Sequence, residues 1–169
     1  MKKIANLDDA LLYQLRKLYD GEKALANAIP KCNKKVKSII LKDELSAYLD
    51  STQDKMLKLD RAFSYLMNEP TGGRNSVIRK MIADTHDMLS ITASDETRDA
   101  VLLACIQSIN NYKIAGYRTS AAFAIDLQLE AVPDLLLEIL QWERETDRVL
   151  TRIGLENINL KALDGSVSQ

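Results

Sequence analysis

The sequence predicts an all-α protein: a four-helix bundle with one long crossover containing a short fifth helix. Three observations lead there. Glycine and proline are scarce, six and three among 169 residues. Long stretches carry apolar residues at the three- and four-residue spacing of amphipathic helices. Between the second and third long segments, the stretch from Asn68 to Ser94 is long enough to span a bundle, where an up-down bundle would have a short loop.

The first helix begins near Asn6 or Leu7 and is expected to run to about Lys37. Asp8 and Asp9 lie in its first turn, where carboxylates complement the helix dipole. Its apolar stripe is Leu11, Leu15, Leu18, Leu25 and Ile29, and Pro30 predicts a kink or break near the end. The second helix, about 41–67, carries Leu45, Leu49, Met56, Leu59, Phe63 and Leu66, and "NEPTGG" stops it.

A shorter helix follows over about 75–91. Ser94 is a suitable N-cap for the next, with the acids of "SDET" in its first turn. That helix spans about 95–128, and the small residues of "IAGYRTSAAFAI" suggest close approach to a neighbour. The last runs over about 133–153, opened by the first-turn proline Pro133 and closed by Gly154. The tail is expected to be frayed from about residue 155. With this crossover the second and third long helices run parallel, which is the ferritin-like arrangement. Residues 1–169 read as a single domain.

Composition narrows the function classes. Hydrophobic residues at 46% and charged residues at 28% describe a soluble globular chain. A formal net charge of −1 gives no argument for nucleic acid or an anionic membrane. The basic run "KCNKKVK", residues 31–37, reads as a solvated helix end. No apolar run reaches membrane-spanning length and the N-terminus turns polar too soon for a signal peptide, so a cytoplasmic location is expected. Cys32 and Cys105 read as small reduced hydrophobes rather than a disulfide.

The informative residues are polar ones in apolar slots. Glu22 occupies the missing position of the first stripe, and Glu143 that of the last, between Ile139 and Thr146. Asp147 follows Glu143 by four residues and so lies on the same side. The second helix has Thr52 in its stripe, with Ser51 and Lys55 close by; the third has Lys113, with Asn110 adjacent. Ionised groups are costly to bury unpartnered, so four such interruptions midway along four helices predict a shared polar layer. Elsewhere, the lone histidine His86 reads as a surface residue and "TGGR" as a turn rather than a phosphate loop. Tyr19, Tyr112 and Tyr117 read as large core residues, and Trp142 as core or interface.

"LYDGEKALANAIPK", "YLDSTQDKMLKLDRAFSYL", "INNYKIAGYRT" and "LLLEILQWERETDRVL" together resemble, in order, the four helix signatures of the YciE/YciF family of ferritin-like bacterial proteins. The resemblance covers about residues 7–153. It implies a two-metal carboxylate site at the bundle centre, a stress association and a homodimer. Carried over by position, Glu22, Glu143 and Asp147 match acidic residues of that site. Ser51 and Lys55 stand where the family has an acid and a histidine, and Asn110 and Lys113 where it has two glutamates. An ammonium has donors and no lone pair, so it repels a cation that a carboxylate would hold. The expectation is therefore a non-enzymatic protein without catalytic residues or cofactor, whose site has become a Glu/Lys polar cluster. The alternatives are an active iron or manganese protein with a site rearranged around Glu22, Glu143 and Asp147, and a structural module acting as a homodimer.

Overall fold

The computed structural model describes residues 3–166, and no strand occurs among them. Five helices follow the predicted order: α1 Leu7–Asn33, α2 Ile39–Tyr65, α3 Ser76–Ser90, α4 Asp95–Asp126 and α5 Val132–Ile153. Their starts follow from local hydrogen bonding. The side chains of Asn6, Ser38, Asn75 and Ser94 each accept a first-turn amide, satisfying a donor that has no intrahelical partner. The stops of α2 and α4 are alike. Met67 and Gln128 adopt φ of 49° and 55°, and the amides of Asn68 and Leu129 reach back to the carbonyls of Phe63 and Ala124. Both are Schellman closures without glycine.

Four long helices form a square in which α1 and α5 each lie between α2 and α4. Direction can be read from the two apolar cores. One core holds Leu11, Leu15 and Leu18 of α1, Leu59 and Phe63 of α2, Tyr117 and Ala121 of α4, and Leu136 and Ile139 of α5. The other holds Leu25 and Ile29, Leu41 and Leu45, Leu102 and Ile106, and Leu150 and Ile153. So α1 and α5 run from the first core to the second, while α2 and α4 run from the second to the first. The diagonal pair α2 and α4 is parallel, as one long crossover requires.

The crossover is fastened to α1. Asp20 accepts the amide of Asn75 at 2.8 Å and pairs with both arms of the Arg79 guanidinium at 2.9 and 2.6 Å. At the turn before it, a Cβ on Gly73 would fall 2.7 Å from the backbone carbon of Arg16, so only glycine lets the strap lie this close. The other bundle end is closed by Asp99, nearly buried at the start of α4. Its carboxylate accepts the amides of Lys37 and Ser38 at 2.7–3.3 Å.

Two expectations need correction. Helix α1 passes through Pro30 unbroken and ends at Asn33, four residues early, because the chain turns there to bury Val36 and deliver two amides to Asp99. Gly154 is not a helix stop: its φ of −59° is right-handed, and the chain continues as a π turn, Gly154–Ile158, into α6, Asn159–Ser166. A Cβ at this position would stand 3.0 Å from the Leu103 side-chain tip, so the turn packs closely on α4, and the continuation buries Ile158 in the core. The tail is thus helical through Ser166, and its last three residues lie outside the described part. The close approach expected of the small-residue stretch is present: Gly116, Ser120, Ala121 and Ala124 face inward, Gly116 against Leu18 of α1.

Candidate functional site: a buried ion-pair layer

Between the two apolar cores, each long helix contributes polar side chains at the same level. Glu22, Thr52, Lys55, Asn110, Lys113 and Glu143 all have 0% exposure. The centre is Lys113. Its Nζ stands 2.9 Å from each carboxylate oxygen of Glu22 and 2.8 Å from Glu143 Oε1, tying α1 and α5 to α4. Lys55 of α2 approaches the same Glu143 oxygen at 2.8 Å. Two ammonium groups thus face two carboxylates, and the layer is formally neutral. That neutrality matters, because a buried ion costs several kcal/mol, roughly, unless paired.

Two tyrosines complete the layer. The Tyr117 hydroxyl donates to Glu22 Oε1 at 2.7 Å, and the Tyr48 hydroxyl accepts from Lys113 at 3.1 Å. The ring of Tyr48 lies 4.9 Å from Lys113 Nζ and 5.0 Å from Lys55 Nζ, so one aromatic face system moderates two like charges. Asn110 donates to the backbone carbonyl of Glu143 at 2.9 Å, and the Thr52 hydroxyl turns back to the carbonyl of Tyr48 at 2.8 Å.

The electrostatics follow from these contacts. Burial pulls the Lys113 ammonium down, but Glu143 and Glu22 overcome it and hold its pKa well above the ordinary lysine value. Burial raises Glu143, yet Lys113 and Lys55 together keep it below the usual carboxylate range. Lys55 is shifted the other way: burial, then repulsion from Lys113, lowers it. Burial beside Glu22 drives the Tyr117 hydroxyl upward, so it stays a protonated donor.

Ser51 and Asp147 are not part of this layer. Ser51 is half-buried one residue before Thr52, and a step of one rotates a side chain about 100° around the helix. Asp147 is half-buried and accepts from Asn111 Nδ2 at 2.9 Å on the outer flank of α4 and α5. Conversely, Tyr48 is the member that the spacing missed. It lies four residues before Thr52 on the same stripe, but half-buried Leu49 had filled the slot in the apolar series. Among the remaining features, Cys32 and Cys105 are free thiols, His86 is exposed, and Trp142 is half-buried beneath the Lys58 ammonium at 5.0 Å.

A profile described as a domain of unknown function, DUF892, matches residues 6–163. The chain belongs to this family. It is 29% identical over 157 residues to protein YciF of Escherichia coli K12, covering 92% of this chain and 95% of that one. The fold agrees with the crystal structure of the E. coli stress protein YciF at a TM-score of 0.88, with 26% identity over 92% of this chain and 99% of that one. A second structure, YcfI, a putative structural protein from Rhodopseudomonas palustris, gives 0.86 and 27% identity over 89% and 96%. A Xanthomonas campestris protein shares the fold alone, at 0.76 and 17% identity over 95% and 99%.

A two-metal centre of the ferritin-like kind needs about four to six carboxylates and imidazoles from the bundle interior. This DUF892 chain brings two carboxylates to its layer, with the Lys113 ammonium seated between them and that of Lys55 against Glu143. Among the described residues, no three of His, Cys, Asp or Glu gather closely enough to hold a metal ion. The residues do not fit a di-metal group.

Proposed function

We propose that this protein is a non-catalytic YciF-type bundle in which tethered ammonium groups take the place of a di-metal centre. The observation that carries this reading is Lys113 Nζ, within 2.9 Å of Glu22 and of Glu143 and wholly enclosed. A metal bridging carboxylates of α1 and α5 would make the same connections; the lysine makes them without a redox-active ion. Chemistry on oxygen or peroxide would need that ion, so the reading is structural: the layer ties four helices together at mid-height. Metal analysis of protein purified without chelators, from cells given ample iron and manganese, should find well under one metal per chain. One or two equivalents would overturn the reading.

A stress role is proposed from the relative described as a stress protein. Its abundance should rise under at least one of heat, salt or peroxide challenge, and a constant level under all three would contradict it. A homodimer is proposed on the family resemblance. Light scattering at tens of micromolar should give twice the chain mass of 19.0 kDa.

A further inference from the structure

The two lysines of the layer are not equally provided for. An ammonium has three N–H donors. Lys113 donates to Glu22 Oε2 and to the Tyr48 hydroxyl, and its Nζ also stands 2.8 Å from Glu143 Oε1. Lys55, equally enclosed, has among the described residues only the ion pair with Glu143 Oε1, which it shares with Lys113, and both ammonium groups approach that oxygen off the hydrogen-bonding direction. On the acceptor side, neither carboxylate oxygen of Glu143 accepts a hydrogen bond among the described residues, and Oε2 is the one not already met by the two ammonium groups. The side chains that could have served it are turned elsewhere: Thr52 to the carbonyl of Tyr48, and Asn110 to the backbone carbonyl of Glu143.

A charged donor and a charged acceptor, both at 0% exposure, are thus left with free valence within one ion pair's reach of each other. A carboxylate oxygen and an ammonium left so inside a protein cost more than any neutral group would. The ligand that satisfies both must accept from Lys55, donate to Glu143 and be small enough for an enclosed place. That is water.

We propose that one internal water molecule binds between Lys55 Nζ and Glu143 Oε2 and completes the polar layer. The inference deepens the ion-pair reading and rests on it.

The test is a crystal structure of the full wild-type chain at about 1.5 Å resolution, with data also collected at the iron and manganese absorption edges. The expected result is a single peak without anomalous signal, within about 3.2 Å of both Lys55 Nζ and Glu143 Oε2. A protein donor seated on Glu143 Oε2, with no such peak, would overturn the water site and leave the ion-pair reading standing. An anomalous peak at that place would overturn both.

Discussion

Lys113 Nζ and Glu143 Oε1 stand 2.8 Å apart with neither side chain exposed, and this pair links the two helices that share the broadest contact in the bundle. The layer contains two positive and two negative groups, so removing one lysine leaves one positive charge against two negative. Lys113→Met should destabilise the fold by about 3–5 kcal/mol, the cost of stranding a buried partner. Adding Glu143→Gln restores neutrality, leaving one charge of each sign in the layer, and should recover part of that loss. Urea unfolding of the wild type, both single variants and the double variant measures it. Additive losses would mean that the two residues do not act as a pair.

The acid limb of stability should report the same contacts. Glu143 is held low by Lys113 and Lys55 against the opposing effect of burial. Asp20 is held low chiefly by its hydrogen bonds to Arg79. A carboxyl with a depressed folded pKa contributes stability that is fully present above its unfolded value of about 4 and is lost as pH falls through the folded one. The melting temperature should therefore be level from pH 7 to about 5 and decline below about 4. Arg79→Ala should make that decline shallower, and an unchanged acid limb would remove the crossover pair from the account.

Much of this was legible before any coordinates. The four-three apolar series locates α1, α2, α4 and α5 within a few residues, because each helix buries one continuous stripe. The same series picks out Glu22, Thr52, Lys113 and Glu143, since a polar residue on a buried stripe has nowhere else to point. It fails at the flanks. Ser51 and Asp147 are near the stripe in sequence, but small rotations carry them out, and tertiary partners such as Asn111 decide the matter. Tyr48 is hidden from the pattern because Leu49 beside it is more apolar and fits the same series. The end of α1 and the continuation past Gly154 depend on Asp99 and Leu103, more than fifty residues away in the chain.

Two backbone positions give opposite expectations. Gly73→Ala would press a methyl against the Arg16 backbone and should cost about 1–3 kcal/mol, because backbone cannot step aside as a side-chain tip can. Met67→Gly relieves a left-handed residue whose side chain is 92% exposed, and should gain about 1 kcal/mol. Thermal unfolding of the two variants checks both signs.

Asp99 acts as a cap supplied from another helix. Asp99→Ala leaves the amides of Lys37 and Ser38 without their acceptor and should cost about 1–3 kcal/mol. Hydrogen exchange should accelerate first in the opening turn of α2. Uniform acceleration along the whole chain would contradict a local capping role.

If fixed ammonium groups occupy the place of metals, metal uptake must differ between the wild type and a variant with its donors restored. Wild-type protein and a variant carrying Lys55→His, Asn110→Glu and Lys113→Glu are dialysed anaerobically against iron(II) or manganese(II), with Ser51→Glu added in a second variant. The wild type should emerge with no metal above the dialysis background, while the restored donors should retain at least one ion per chain. Ser51→Glu should add little, since position 51 lies off the layer. Stoichiometric retention by the wild type, abolished by Glu22→Gln or Glu143→Gln, would contradict the account.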